Sequence, residues 1–311
     1  MVLRVARPLV QERALPLRWL ITGSEGLVGR GLTAALRSRG HQVDPFDLVR
    51  GEDVRDLDQV RAAVGPVDGV VHLAAVSRVA WGERDPEGCV STNVDGTRNV
   101  LEAARQAKNR PLVLFASSRE VYGEPRSLPV GEDAPLAPLN VYARTKVDGE
   151  ALVGASRAAG LRAGVVRLSN VYGDTVDHAD RVVPAFVRAA VRGEGLRVEG
   201  SGHTFDFTHL DDVVRGLVLL LGLTHVGAPL PPVHLVSGRG TTLGELAALA
   251  IAAGGGGEAH EAPPRTYDVA RFVGDPSRAR ERLGWTTSTP LEQGLARLAD
   301  AFRREVAPQP S

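Results

Sequence analysis

Three side chains in the middle of the chain have the types and spacing of an acid–base site, namely Ser118, Tyr142 and Lys146. Tyr142 and Lys146 lie four residues apart in a predicted helix over residues 140–159, so they share one face. A free phenol, with a pKa of about 10, is a poor base at neutral pH, but a nearby lysine cation lowers that pKa. On its own, this pair of residues would be explained better by an ordinary solvated helix face than by a catalytic site. Ser118, at the end of a predicted buried strand, favours the catalytic interpretation.

A glycine-rich stretch over residues 20–29 has the composition of an anion-binding turn. A predicted apolar strand over 17–22 leads into it, and an amphipathic helix follows it. Gly23 permits a tight turn, Gly26 lets a phosphate approach the backbone, and Gly29 lets the helix pack close to the strand. The free N–H groups and the dipole of the helix favour an anion, so we predict a pyrophosphate site instead of a turn without a ligand. The predicted contacts are Gly23, Ser24, Gly26, Leu27, Val28 and Gly29.

An acidic residue follows the next predicted strand, over residues 42–46. This residue, Asp47, lies about 20 residues past the glycines, where a dinucleotide site needs a partner for the adenosine ribose. Its carboxylate would accept hydrogen bonds from the ribose hydroxyls and would repel a 2′-phosphate. Asp47 therefore favours NAD over NADP, and the alternative is that it caps a turn.

The elements that must position these residues alternate between strands and helices. Such alternation predicts an α/β fold with a mostly parallel, doubly wound sheet. The glycine turn and the strand ends would then lie along one edge of that sheet. Further strands are predicted over 69–75, 111–116, 162–168 and 232–236, helices over 56–64, 86–107, 181–192, 210–221, 276–283 and 291–306, and a flexible connection over 254–257.

Charge and composition exclude several classes of protein. The 311 residues include 37 Lys and Arg and 37 Asp and Glu, and this balance argues against a nucleic-acid or membrane-surface protein. No apolar run reaches membrane-spanning length. The single cysteine, Cys89, rules out an intramolecular disulfide and supports no metal-ligand cluster. We expect a cytoplasmic enzyme.

Together these motifs resemble the extended short-chain dehydrogenase/reductase superfamily, in its NAD-dependent nucleotide-sugar epimerase/dehydratase family. The motifs run in family order from the first strand to the last helix. Besides the glycine turn they are His-Leu-Ala-Ala at 72–75, Asn-Val-Asp-Gly-Thr at 93–97, Ser-Ser-Arg-Glu-Val-Tyr-Gly at 117–123, Tyr-Ala-Arg-Thr-Lys at 142–146, Arg-Leu-Ser-Asn-Val-Tyr-Gly at 167–173, Phe-Thr-His-Leu-Asp-Asp at 207–212 and Leu-Gly-Trp at 283–285.

The resemblance implies a role for each residue of the predicted site. Tyr142 would be the catalytic acid/base, Lys146 would hold the nicotinamide ribose and tune the phenol, and Ser118 would hydrogen-bond the reacting sugar hydroxyl. The other implied cofactor contacts are Asp53 and Val54 beside the adenine, Leu73, Ala74 and Ala75 beneath the dinucleotide, and Asn93. Asn170 and Arg265 match contacts to the phosphates of the sugar nucleotide.

Three positions depart from the family pattern. Ser24 and Glu25 stand in the glycine turn where relatives have smaller residues, so the Glu25 side chain must turn to solvent. Phe205 stands where many relatives carry an arginine for the pyrophosphate. Glu120 matches a glutamate that dehydratases and decarboxylases use, but Arg119 precedes it where dehydratases usually have an aspartate. A local Arg119–Glu120 ion pair is the alternative to a catalytic role.

The function that the resemblance implies first is an NAD-dependent 4-epimerase of a UDP- or dTDP-hexose, acting through a transient 4-keto sugar. The main alternative is a 4,6-dehydratase or a uronic-acid decarboxylase that uses Glu120 as a second acid/base. A 4-ketoreductase is a further alternative. A non-catalytic NAD-binding protein on the same fold is the least favoured.

The resemblance also implies the domain organisation. Residues 1–16 would be an N-terminal extension, and residues 17–169 an NAD-binding Rossmann domain to which 206–237 return. Residues 170–205 and 238–311 would form a smaller C-terminal substrate-binding domain. Relatives suggest a homodimer through the helices over 86–107 and 140–159. The other expected partner is the nucleotide-sugar substrate, with no nucleic acid and no membrane.

Overall fold

The structure is a computed structural model that describes residues 16–225, 231–264 and 269–306. The predicted extension, apart from Pro16, and the predicted substrate residue Arg265 lie outside the described residues. In the described part of the chain the strands are β1 (Arg18–Thr22), β2 (Gln42–Phe46), β3 (Gly69–His72), β4 (Leu112–Ser118), β5 (Ala163–Leu168), β6 (Asn170–Tyr172), β7 (Leu196–Glu199), β8 (Thr204–His209), β9 (Val233–Leu235), β10 (Gly240–Thr242) and β11 (Ala259–Ala262).

Six of these strands form one parallel sheet in the order β2-β1-β3-β4-β5-β9. The strand order reverses at β1, because β2 and β3 flank it on opposite sides, and such a reversal opens a crevice at the carboxyl ends of the strands. The predicted doubly wound α/β class is therefore confirmed. Two small sheets, β10-β8-β6 and β11-β7, lie outside this sheet.

The helices largely follow the sequence prediction, with three corrections. The short helix over Val79–Arg84 was not predicted. The predicted helix over 86–107 is interrupted by a π-helical turn, Ser91–Asp95. A helix over Leu243–Gly254 was not predicted, because it is apolar at nearly every position and has no clear period. The helices of the described residues are α1 (Leu27–Arg37), α2 (Leu57–Val64), α3 (Val79–Arg84), α4 (Pro86–Val90), α5 (Gly96–Gln106), α6 (Val141–Ala158), α7 (Val182–Arg192), α8 (Leu210–His225), α9 (Leu243–Gly254), α10 (Ser277–Leu283) and α11 (Leu291–Val306).

Both faces of the parallel sheet are covered by helices, as its strand sequences require. Successive residues of a strand point to opposite faces. Ile21 and Val71 accordingly pack in a core with α1 and α8, whereas Leu20 and Val70 pack in a second core with α2 and α5. A third core joins β8 to α7, α9 and α11.

The predicted division into two domains is not decided by these cores and stays a prediction. The elements α8 and β9, which lie in the predicted return segment, pack in the first core. No helix in the described ranges combines the length and the apolar character that a membrane span requires.

Candidate active site

The carboxyl end of β4 and the first turns of α6 bring the three predicted catalytic residues together. Asn140 caps α6, since its side-chain oxygen accepts a hydrogen bond from the backbone N–H of Ala143 at 2.8 Å. This start turns Tyr142 and Lys146 inward, where they are 8% and 4% exposed. The Lys146 ammonium lies 5.8 Å from the centre of the Tyr142 ring. Ser118, the last residue of β4, lies close enough to the Tyr142 phenol to act on its pKa.

Burial dominates the ionisation of this pair. It raises the pKa of Tyr142 to about 12, although the hydrogen bond with Ser118 and the positive charge of Arg181 act in the opposite direction. Burial also lowers the pKa of Lys146 to about 8. The sequence reasoning expected Lys146 to lower the phenol pKa. The pKa is raised instead, because removing the phenolate from water outweighs the nearby positive charge.

The three residues line a cleft of about 480 Å³ along the carboxyl edge of the parallel sheet. The glycine turn lines the same cleft. Of the predicted site residues, the cleft is lined by Gly23, Gly26, Leu27, Val28, Gly29, Leu73, Ala75, Ser118, Glu120, Tyr142, Lys146 and Asn170. The structure therefore brings most of the predicted residues to one place.

The glycine turn fits the pyrophosphate that the sequence predicts. Gly23 has a φ of +71°, and a Cβ there would lie 2.7 Å from the backbone nitrogen of Ala74. A Cβ at Gly29 would overlap the carbonyl oxygen of Gly23. No side chain caps the N-terminus of α1, and the buried hydroxyl of Ser24 has no hydrogen-bond partner among the described residues. Donors therefore remain for an anion, as NAD binding requires.

The Asp47 carboxylate lies beside this turn but is already engaged by the backbone. It accepts hydrogen bonds from the N–H groups of Glu25 at 2.9 Å and Val49 at 3.1 Å. The turn-capping alternative is thus present, and ribose binding by Asp47 stays a prediction. The Glu25 side chain forms ion pairs with Arg30 and Arg50, and Glu25 also lines the cleft, so its expected turn to solvent stays a prediction.

Three other predicted cofactor residues do not line the cleft, and their contacts with NAD stay predictions. The Asp53 carboxylate forms an ion pair with Arg55 at 2.6 Å. Val54 is buried against Gly96. The backbone nitrogen of Ala74 donates to the hydroxyl of Thr22 at 3.2 Å.

Asn93 also lies outside the cleft, and it joins two elements that line it. The π-helical turn directs its side chain inward, where it is 2% exposed. Its amide accepts from the N–H of Val76 at 2.7 Å and donates to the carbonyl of Val76 and the hydroxyl of Thr145. Thr145 lies between Tyr142 and Lys146, so Asn93 fixes α6 relative to the segment after β3.

The predicted ion pair between Arg119 and Glu120 is present. Nη2 of Arg119 lies 2.7 Å from Oε1 of Glu120, and both side chains are largely buried. Asn140 donates a second hydrogen bond to Glu120, at 3.2 Å. The Arg119 guanidinium carbon lies 4.4 Å from the centre of the Phe205 ring.

Sequence reasoning missed Arg181, which lines the cleft and lowers the pKa of Tyr142 by its charge. Its guanidinium donates to the hydroxyl of Ser77 at 3.3 Å and pairs with Asp177. A ring contact between Trp81 and His178 joins the same two segments. About one hundred residues separate the segments in the chain, so no local spacing could have indicated the contact.

A family model described as the NAD dependent epimerase/dehydratase family matches residues 19–229, which is more than half of the chain. The chain belongs to this family. The resemblance inferred from the ordered motifs is thereby confirmed, and with it the enzyme class and the dependence of the family on NAD.

Relatives within the NAD-dependent epimerase/dehydratase family carry two different activities. A UDP-glucose 4-epimerase of Mycolicibacterium smegmatis is 33% identical, over 93% of this chain and 99% of that protein. A UDP-glucuronic acid decarboxylase 1 of Xenopus tropicalis is 32% identical, over 94% of this chain and 73% of that protein. The crystal structure of Thermus thermophilus UDP-glucose 4-epimerase in complex with NAD superimposes with a TM-score of 0.85 at 26% identity, covering 92% of this chain and 99% of that one.

Proposed function

We propose that this protein is an NAD-dependent nucleotide-sugar 4-epimerase that acts on a UDP- or dTDP-hexose through a transient 4-keto sugar. The observation that carries the proposal is that Ser118, Tyr142 and Lys146 line the same cleft as the glycine turn. The activity named for the M. smegmatis relative, which matches over nearly its whole length, supports a UDP-sugar.

The chain's own residues move the proton in this reaction. NAD, when bound, supplies a reversible two-electron acceptor for the alcohol at C4 and adds a positive charge to the site. Tyr142 takes the proton of the 4-hydroxyl, and Ser118 orients that hydroxyl by a hydrogen bond. Because burial favours the neutral phenol, the charges of Lys146 and Arg181 are needed to favour the phenolate.

The second half of the reaction reverses the first on the other face of the sugar. The keto sugar rotates within the cleft, is reduced from the opposite face, and takes back the proton from Tyr142. Tyr142 thus acts as base and then as acid, and it ends in the protonation state in which it began.

The second candidate function is a 4,6-dehydratase or a uronic-acid decarboxylase, in which Glu120 is the second acid/base. The presence of Glu120 in the cleft and the decarboxylase relative favour it. Its ion pair with Arg119 and its hydrogen bond from Asn140 oppose it, because both hold the carboxylate in place as an acceptor.

Product analysis tests the choice. Purified protein is incubated with UDP-glucose, dTDP-glucose or UDP-glucuronic acid without added reductant, and the products are identified by NMR. A separate assay supplies NADH together with a 4-keto nucleotide sugar. The proposal expects the C4 epimer and no net change in absorbance at the nicotinamide band. A 4-keto-6-deoxy sugar, a decarboxylated sugar or net consumption of NADH would replace the epimerase with a dehydratase, a decarboxylase or a ketoreductase.

We further propose that the protein is a cytoplasmic homodimer, paired through α4, α5 and α6, and that it is built from the two domains predicted above. Val90 in α4 and Leu139 before α6 are 44% and 53% exposed, which supports an apolar contact there. Light scattering of the NAD-loaded protein tests the dimer, since a monomer at micromolar concentration would contradict it.

A further inference from the structure

Two side chains at which this chain departs from its relatives touch each other in the lining of the cleft. Arg119 follows the catalytic Ser118 directly, and Phe205 belongs to β8. The guanidinium carbon of Arg119 lies 4.4 Å from the centre of the Phe205 ring, within the range of a cation–π contact. Phe205 is 7% exposed, so its ring forms a fixed, dry support for the guanidinium.

The guanidinium is oriented, but its donors are not all used. Nη2 pairs with Glu120 at 2.7 Å, and the Arg119 side chain is only 12% exposed. Nη1 is buried and has no hydrogen-bond acceptor in the ranges that the structure describes. An unsatisfied buried donor is costly, and a charged planar fork that already holds one carboxylate is suited to a second oxygen acceptor.

The position of Arg119 restricts what that acceptor is. Its neighbour Ser118 contacts the phenol that acts on the sugar alcohol, so the guanidinium lies close to the sugar. Phe205, Arg197 and His203 line the same cleft as the catalytic residues. An oxyanion next to the sugar ring would therefore lie within its reach.

We propose that Arg119, supported by the Phe205 ring, binds an oxyanion of the substrate, which is either the phosphate attached to the sugar or a carboxylate carried by the sugar. The inference rests on the proposed function, because it requires a nucleotide sugar in the cleft. Arg119 is then a residue that determines substrate choice, and its pairing with Glu120 fixes the direction of the fork.

Binding measurements on the NAD-loaded protein test this without requiring turnover. The affinities of UDP, UDP-glucose and UDP-glucuronic acid are measured by calorimetry for the wild type, Arg119→Gln and the double variant Arg119→Gln/Phe205→Arg. We expect Arg119→Gln to weaken binding by roughly 10- to 100-fold, the range for losing a hydrogen bond to a charged group. The double variant should recover much of this loss, because an arginine at 205 starts beside the position of the lost guanidinium.

The three ligands distinguish the two sources of the oxyanion. A loss shared by UDP and UDP-glucose assigns the contact to the phosphate, and a loss confined to UDP-glucuronic acid assigns it to the carboxylate. Unchanged affinity for all three ligands overturns the proposal. The control is Arg192→Gln at the end of α7, which removes an arginine that also pairs with a nearby glutamate but lies outside the cleft. An equal loss in this control would also overturn the proposal.

Loss of folding is checked by thermal unfolding and NAD binding. If Arg119→Gln does not fold, Arg119→Lys replaces it, since lysine keeps the charge but cannot hold two acceptors in one planar fork. Unchanged ligand affinity in Arg119→Lys would overturn the proposal. A loss of affinity in a protein that shows no epimerisation would leave this inference standing and remove the proposed function.

Discussion

The buried ammonium of Lys146 donates a hydrogen bond to the carbonyl oxygen of Ala116, 2.9 Å away. The contact fixes the second turn of α6 against β4, two residues before Ser118. Since Tyr142 is one turn earlier on the same helix, the lysine sets the distance between the phenol and the serine as well as supplying a charge. Four predictions follow from this geometry and from the residues around it.

Replacement of Tyr142 by phenylalanine should remove the acid/base and leave the fold intact. We expect kcat to fall by roughly 10² to 10⁴, the usual contribution of such a group, with NAD affinity little changed. Steady-state epimerisation and NAD binding are the measurements. Tyr172→Phe is the matched control, because Tyr172 is equally buried but does not line the cleft. Full activity in Tyr142→Phe would exclude the proposed chemistry.

The activity should depend on the protonation of Lys146. Burial lowers its pKa to about 8, and an amine is charged only below its pKa, so kcat/KM for the nucleotide sugar should fall as the pH rises through about 8. In Lys146→Arg the charge persists, and this fall should disappear from whatever activity remains. The other lysine of the chain, Lys108, is the control. If kcat/KM of Lys146→Arg falls with rising pH in the same way as that of the wild type and of Lys108→Arg, the fall does not come from Lys146 and the prediction is wrong.

The exchange of Glu120 for glutamine separates the two candidate functions. An epimerase should lose less than about tenfold in kcat, because the amide can still accept the hydrogen bond from Asn140 and no proton transfer by Glu120 is required. A dehydratase or decarboxylase should lose roughly 10² to 10⁴. Turnover is measured for every product described above. A large loss accompanied by an epimer as product would contradict both expectations.

A methyl group at Gly29 should close the pyrophosphate site. The added Cβ would overlap the carbonyl oxygen of Gly23, so α1 must move away from β1. We expect Gly29→Ala to weaken NAD binding by at least about tenfold, the equivalent of ~1.4 kcal/mol. Fluorescence titration with NAD checks this. In the control, Gly222→Ala in α8, nothing lies within 4 Å of the added Cβ. NAD affinity equal to wild type in Gly29→Ala would show that the turn does not hold the cofactor.

Local patterns predicted the parts of this site that depend on short stretches of chain. The strand, glycines and helix of the first turn are contiguous, and Tyr142 and Lys146 share a face by helical spacing alone. Contacts between segments that are far apart in the chain could not be predicted from any local sequence pattern. The contact of Arg119 with Phe205 joins the end of β4 to β8, a strand of a different sheet, and the contact of Arg181 with Ser77 joins residues about one hundred positions apart.

Two further misses have local physical causes. The helix over Leu243–Gly254 is apolar all round because both α7 and α11 pack on it, so its sequence lacks an amphipathic period. The interruption at Ser91–Asp95 consists of five residues with low helix propensity, but such a run does not specify a π-helical turn.

The π-helical turn should allow the chain to tolerate the deletion of one residue at this point. A π-helical turn holds one residue more than the α-helical turn it replaces, so a single deletion within Ser91–Asp95 can be absorbed by ordinary coiling while both flanking helices keep their phase. The same deletion inside α5 would rotate every later residue of that helix by about 100° and expose Val100 and Leu101 to water. A variant with one residue deleted in this turn should therefore remain folded. It should lose the hydrogen bonds by which the Asn93 amide joins Val76 to Thr145 and so fixes the position of α6.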